Sequence, residues 1–268
     1  MRCVLNTKRA KSAKSRGSAG SLHAGPTGMR DGMNEITAHD ADPRTGQPVG
    51  FPVDATPARP PGPVTLTGRY GAVERLDPER HGGPLWEAVA GHPPLWTYMS
   101  FGPFAEAPAF SQWLASRPPS ADPYFYAIVQ PDGRAVGLAA LMSIRPEMRV
   151  IEVGNILLSP RLQRTPLATE AQYLLARHAF ETLGYRRYEW KCDALNAPSR
   201  RAALRFGFRY EGIFRDHMII KGRSRDTAWF AMLEAEWPAR KAAFERWLAP
   251  QNFDAAGDQR ERLGAGAP

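Results

Sequence analysis

Apolar positions change period several times along this chain, and each change marks an element. Leu167, Ala171, Leu174, Leu175, Ala179 and Leu183 recur at three- and four-residue spacing, which gathers them on one helix face. Thr165 is a good N-cap, Pro166 suits the first helical position and Gly184 suits the position after the last, so a helix is predicted over 166–183. The stretch 149–158 before it is an apolar strand. Residues 124–130 are aromatic and β-branched, and 135–144 return as a strand across the turn signal Pro131-Asp132-Gly133-Arg134. Tyr188, Glu189, Trp190, Lys191 and Cys192 alternate as a half-buried strand does. Two further strands, 210–221 and 226–233, flank Gly222-Arg223-Ser224. Short strands are expected at 64–66 and 70–76, and helices at 83–91, 107–116, 196–205 and 238–248. No internal repeat is present.

This order of strands, two helices, three strands, helix, strand, helix and hairpin predicts one α/β (α+β) layered domain. Residues 1–60 are rich in Gly, Pro, Ser, Thr and Ala without a sustained period, and read as a disordered tail. The domain is expected over 61–249, with a flexible tail at 250–268. Composition sharpens this picture in one respect. The net charge is +8, but residues 1–28 hold Arg2, Lys8, Arg9, Lys11, Lys14 and Arg16 and no acid, which leaves +2 elsewhere. Basic character therefore belongs mostly to the tail, and nucleic-acid binding is expected only through it. An organelle transit peptide is the other reading of this stretch, and Met29 and Met33 are alternative starts. Cys3 and Cys192 lie far apart in unlike contexts, which fits a reducing cytoplasm and no disulfide framework. No apolar run is long enough for a membrane span, and the basic start lacks the apolar region of a secretory signal. No His-x-x-x-His or Cys-x-x-Cys pair occurs, so no metal is expected.

A strand that runs into a helix N-terminus aims free backbone N–H groups and the helix dipole at one spot, which suits phosphate. Arg161 and Arg164 add cations beside it. An ordinary strand–loop–helix unit with solvated arginines is the competing reading. The segment resembles the acyl-CoA-binding motif of the GNAT N-acetyltransferase superfamily. There the pattern is Gln/Arg-x-x-Gly-x-Gly/Ala, three residues after a proline that ends a strand. Here Pro160 is followed by Gln163, Pro166 and Ala168 at the matching positions. The wording QRTPLATEA is most similar to the RimJ/RimL-like branch, whose known members acetylate protein N-termini and some small amines. Pro166 stands where most of the superfamily has glycine, and it removes one N–H from the cradle. The remaining donors would come from around Gln163, Arg164, Thr165, Leu167, Ala168 and Thr169, with the Thr165 hydroxyl as cap or as phosphate ligand.

The resemblance covers roughly 64–239 and implies a single GNAT-like domain. Such a domain has a mixed central sheet, helices on both faces and a splay between two parallel strands, here 152–158 and 188–192. It implies acetyl-CoA as co-substrate, no metal, and a primary amine that attacks the thioester directly. Ile156 and Leu158 fall where the family's backbone pairs with pantetheine, and an N–H near Leu158 would receive the oxyanion. Asn196 and Ser199 match the second cofactor motif, closed by Phe206-Gly207-Phe208, although Asn-x-Pro-Ser is equally an Asx turn and helix cap. The usual tyrosine seven residues after the Asn is Ala203 here. The thiolate would then leave unaided, or with help from Ser199 or a water.

Glu152 is the candidate general base. Strand alternation puts it on one face with Val150, Gly154, Ile156 and Leu158, and apolar neighbours would raise its pKa. The alternative is a structural carboxylate paired with an arginine or a backbone amide. Asn155 would point the other way and bond across the sheet, and Gly154 either leaves room for close approach or marks a bulge. His178 reads as a core-edge histidine, Cys192 as a buried thiol, and His217 as a possible proton shuttle beside the acceptor groove. Trp86, Trp96, Tyr98, Phe101, Phe104, Phe110 and Trp113 either frame the acceptor or pack the early helices. Two other functions are compatible with these residues: a non-catalytic acyl-CoA-binding module, and RNA binding through the tail. The oligomeric state is not readable.

Overall fold

The structure is a computed structural model and describes residues 39–264. The basic segment 1–28 and its alternative starts lie outside the described residues. Residues 39–54 belong to a separate small unit. It pairs β1 (Asp40–Ala41) with β2 (Pro48–Val49), and Asp42 Oδ1 holds the turn by accepting from the Arg44 and Thr45 N–H groups at 2.7 and 3.1 Å.

From Ala55 onward the second unit runs β3 (Thr65–Thr67), β4 (Ala72–Arg75), α1 (Pro78–Val89), α2 (Ala107–Ala115), β5 (Tyr124–Val129), β6 (Ala135–Arg145) and β7 (Val150–Leu158). It continues with α3 (Pro166–Arg177), β8 (Arg187–Asp193), α4 (Ala197–Arg205), β9 (Arg209–Ile220), β10 (Arg223–Leu233) and α5 (Trp237–Leu248). Eight strands form one sheet in the order β3-β4-β5-β6-β7-β8-β10-β9. Every neighbouring pair is antiparallel except β7 and β8. The alternating side chains of β5 serve two cores. Phe125, Ala127 and Val129 pack with Leu85, Phe110 and Leu114 of α1 and α2. Tyr124, Tyr126 and Ile128 face the layer of α3 and α5, with Leu174, Leu175 and Phe244. Helices thus cover both faces of a mixed sheet.

Most expected elements fold within a few residues of their pattern, and the differences have local causes. α1 begins at Pro78 rather than near 83, because Asp77 caps it by accepting from the Glu79 and Arg80 N–H groups. The 166–183 helix is α-helical to Arg177 and then widens into a π turn over His178–Leu183, ended by Gly184 at φ +83°. Ordered chain also begins earlier than residue 61. Ala58 is buried, its N–H donates to the Pro146 carbonyl, and the Arg59 N–H donates to that of Leu183. These are backbone bonds made by a Pro-rich stretch, so no side-chain period announces them. At the other end, the stretch expected as a flexible tail is anchored at Asn252, which is buried, and at Phe253 and Leu263, which pack against the core, while 254–262 are exposed. Asn252 donates to the Trp247 carbonyl and accepts from the Glu261 N–H, and the Phe253 ring meets Trp247 at 5.1 Å.

His178 has 5% exposure and neither ring nitrogen is bonded; burial, then the charges of Arg59 and Arg177, holds its pKa below the ordinary 6.5. Burial, then Arg80, does the same at His81, whose Nδ1 accepts from the Asp77 N–H at 3.0 Å. The unfolded chain takes up protons at both positions near 6.5, and the folded chain only at lower pH. Between these values the unfolded state holds more protons, so stability falls as pH falls through this window. Urea midpoints measured from about pH 7 down to about pH 5.5 should therefore decrease, and His178→Leu should flatten the profile. A pH-independent midpoint would contradict the neutral assignment.

Candidate active site

β7 and β8 run side by side only from Val150 opposite Arg187 to Val153 opposite Trp190. Beyond that point they part. The reason is visible on β7: Leu157 opposes Leu138 and Gly154 opposes Ala140, so Asn155 and Ile156 stand against Ala139 alone. That is a β-bulge, and Asn155 takes φ +49° to make it. The Ser159 N–H donates to the Val136 carbonyl at 3.4 Å, so ladder alternation turns the backbone of Leu158 to the open side of β7. A cavity of about 330 Å³ occupies the opening. Its walls come from β6, β7, β8, β9, β10, the start of α4 and the connection between α1 and α2.

Glu152 lines this cavity at 5% exposure. Its surroundings are not the apolar ones expected. The Ser143 hydroxyl donates to Oε2 at 2.8 Å, and Lys191 Nζ lies 3.0 Å from the same oxygen. Lys191 also stands 3.0 Å from Glu189 Oε2, which Arg145 shares at 3.1 Å, while Arg187 meets Oε1 at 2.7 Å. Strand pairing places Glu152 beside Glu189, so two carboxylates share a buried site and a cation between them becomes necessary. Lys191 further sits 4.0 Å from the Trp229 ring centre. Sequence reading used Lys191 only as one beat of an alternation. Gly154 is the next residue inward on the strand face. A Cβ there would come 2.4 Å from Met142 Sδ and 3.3 Å from Glu152 Oε1, which explains a glycine at this point. Asn155 bonds across the sheet as expected, its Nδ2 donating to Met142 Sδ on β6 at 3.7 Å, and it also lines the cavity, because the bulge breaks the alternation.

Ile156, Asn196 and Ser199 line the same cavity. Asn196 is the N-cap of α4, its Oδ1 accepting from the Ser199 N–H at 3.1 Å. Ser199 Oγ accepts from Trp190 Nε1 at 3.0 Å and bonds the Cys192 thiol. Burial pushes that thiol pKa up, against weaker opposing pulls from Ser199, Arg225 and Arg200. Ala203 is fully buried in the helix-side core.

The expected phosphate residues lie at the N-terminus of α3, outside this cavity. The Leu162 and Gln163 N–H groups both donate to the Ser159 carbonyl at 2.9 Å. Gln163 Nε2 donates to the Leu158 carbonyl at 3.0 Å, and Arg164 turns the chain at φ +64°. The Thr165 hydroxyl is engaged on both sides, donating to the Leu162 carbonyl at 2.7 Å and accepting from the Ala168 N–H at 3.2 Å. It is a cap and not a free ligand. Thr169 is buried, its hydroxyl accepting from Arg205 Nη1, and it presents nothing outward. The donors left by position are the N–H groups of Arg164 and of Leu167 at the second helical position. Arg161 lies on the exposed side of this loop.

His217 lines the cavity, its Nδ1 2.9 Å from the Thr227 hydroxyl and its ring flanked by Phe214 and Trp229. Of the early aromatic cluster, Trp96 and Phe110 are core, with Phe104 and Trp113 packed on them. Tyr98 reaches the cavity and donates to the Leu195 carbonyl at 3.3 Å. Among the described residues no group of three or more His, Cys, Asp or Glu side chains could hold a metal, and no helix is long and apolar enough to cross a membrane.

A sequence model described as an acetyltransferase (GNAT) domain matches residues 78–209. The crystal structure of a GCN5-related N-acetyltransferase from Brucella melitensis is 47% identical and superposes at TM-score 0.77, over 78% of this chain and 96% of that one. A probable acetyltransferase of the GNAT family from Chromobacterium violaceum is 40% identical at TM-score 0.67, over 70% of this chain and 96% of that one. The "Putative ribosomal N-acetyltransferase YdaF" of Bacillus subtilis (strain 168) is 27% identical over 149 residues, 48% of this chain and 81% of its own length. With its mixed sheet parted at the single parallel pair, the chain belongs to the GCN5-related N-acetyltransferase (GNAT) superfamily, in its RimJ/RimL-like branch, and is an acyltransferase.

Proposed function

We propose that this protein moves the acetyl group of acetyl-CoA onto a primary amine, at a protein N-terminus or on a small molecule, by direct attack. The observation that carries the reading is the cavity at the parted strands, which collects a carboxylate, a hydroxyl and open strand backbone at one place. The diphosphate of the co-substrate lies against the start of α3, on the N–H groups of Arg164 and Leu167 with Arg161 and Arg164 beside them. The pantetheine follows the open side of β7 past Leu158 and Ile156 toward Asn196.

The amine nitrogen attacks the thioester carbonyl carbon, and a C–N bond forms. Charge gathers on the carbonyl oxygen and is met by the Leu158 N–H. Glu152 takes the amine proton through Oε1, since both of its recorded bonds fall on Oε2. The C–S bond then breaks, and the thiolate takes a proton from Ser199 or from water. Ser199 is placed for this role because its hydroxyl lines the cavity, with its oxygen already accepting from Trp190 Nε1. No acyl-enzyme is formed, and the buried Cys192 thiol, with its raised pKa, is a poor nucleophile. The relative named for a ribosomal acceptor favours a protein substrate. The reduced thiol and the supply of acetyl-CoA fit a cytoplasmic setting.

Glu152→Gln should lower kcat by about a hundredfold or more while leaving the acetyl-CoA Kd unchanged. Steady-state kinetics beside calorimetry separates the two, and an unchanged kcat would remove Glu152 from the mechanism. Replacing both Arg161 and Arg164 by Ala should weaken acetyl-CoA binding by about tenfold, and less at high salt. Equal affinity of the double variant and the wild type would move the phosphate site elsewhere.

A further inference from the structure

The charges that line the cavity are equal in number but are not all paired with one another. Its two carboxylates are Glu152 and Asp193, and its two cationic side chains are Lys191 and Arg225. Lys191 is committed to Glu152 and Glu189, at 3.0 Å from each. Asp193 Oδ1 accepts from the Leu195 N–H at 2.8 Å, and His217 is held by Thr227. Arg225 has no carboxylate within 4.0 Å among the described residues, and its Nε is buried without a hydrogen-bond partner. The next residue does not help it: Asp226 Oδ1 turns to the Asp216 N–H at 2.7 Å. Across the hairpin Arg225 faces Met218, which offers no acceptor side chain.

A half-buried guanidinium with an idle, desolvated donor is unfavourable by itself, and it becomes favourable when an anion completes it. The coenzyme phosphates are not that anion in the proposed binding mode, because the α3 N-terminus does not line this cavity. Arg225 lies instead on the β9–β10 hairpin, paired with Met218, in a cavity that Ile220, Tyr98 and Met99 also line. The geometry points to a carboxylate on the acceptor, close to the amine, that Arg225 receives. This inference rests on the amine-transfer reading and narrows its substrate class. Arg225 is then a specificity residue, and the base and oxyanion groups are untouched by its loss. The carboxylate has two sources: the α-carboxylate of a free amino acid, or an acidic side chain next to a peptide N-terminus.

Both sources are tested with isosteric pairs. Peptides with amidated C-termini and Glu or Gln at the second position probe the side chain. A free amino acid and its amide probe the α-carboxylate. With wild-type protein, kcat/KM should favour the acidic member of at least one pair by about tenfold to a hundredfold. Arg225→Gln should erase that preference by raising KM for the acid alone. Its KM for acetyl-CoA and its rate on the neutral acceptor should stay unchanged, which also shows that the variant is folded. Arg225→Glu should turn the preference toward peptides with Lys at the second position. Equal rates on acidic and neutral members of both pairs would overturn the inference and leave amine transfer standing. A raised KM for acetyl-CoA in Arg225→Gln would overturn it by assigning the residue to the coenzyme. Failure to acetylate any amine, in protein that binds acetyl-CoA, would overturn the amine-transfer reading and this inference with it.

Discussion

The candidate site depends on a pair of parallel strands that stop bonding halfway. A sheet normally satisfies each backbone donor and acceptor with a neighbour, and an interior strand with free groups is costly unless something else meets them. β7 and β8 break that rule between an eight-strand sheet's two halves, after Val153 and Trp190. The extra residue at Asn155–Ile156 keeps β7 attached to β6 while aiming it away from β8. A cavity and a strip of unpaired backbone are produced together. The candidate site is thus a fault in the sheet, with well-packed helices on either side.

The fault also decides where charge can be buried. Glu152 and Glu189 are neighbours across the last stretch of true pairing, both under a tenth exposed. Two such carboxylates repel, and Lys191, two residues beyond Glu189 on the same strand face, is placed to bridge them. Arg187 and Glu211 extend the chain of pairs to the surface at 2.6 Å. The arrangement ties Glu152 by one oxygen and leaves the other near Gly154, where a Cβ would displace Met142 Sδ and stand 3.3 Å from Glu152 Oε1. Positioning of the candidate base and the glycine beside it are therefore one requirement.

Legibility in the sequence followed period. The 3.6-residue spacing from Leu167 to Leu183, the Thr165-Pro166 start and the Gly184 stop located α3 within its observed bounds, with only the π turn unforeseen. Alternation and turn residues located β5 and β6 within about a residue. The site was readable where a cap or a fixed spacing was written locally, as at Asn196-Ala197-Pro198-Ser199. It was not readable where the determinant is a relation between distant strands. No local pattern shows that Lys191 will meet Glu152, 39 positions earlier, or that Asp226 will turn from Arg225 to the Asp216 N–H. The bond of Asn155 across the sheet is foreseeable, but its place in the cavity is not, because strict alternation assumes an unbroken ladder and the bulge breaks it. Residues 55–60 and 250–264 were missed for a different reason: backbone bonds and a single Asn amide anchor them, and neither leaves a periodic trace.

Pro166 shows how a departure from a motif is absorbed. At the first helical position proline removes an N–H that has no intrahelical partner in any case, and its fixed φ suits the helix. The Ala168 N–H is then taken by the Thr165 hydroxyl, which is in turn held by the Leu162 carbonyl. Two potential donors are thereby lost to a ligand, and the helix start becomes more rigid. What remains is a cradle with fewer backbone donors and more arginine, at Arg161 and Arg164. Backbone donors act at contact range, whereas exposed guanidinium groups act through a screened field. In the proposed binding mode, a site built this way should hold the diphosphate with more salt dependence than one lined by glycine N–H groups, and the rigid cap compensates by keeping the helix dipole aimed at the same place.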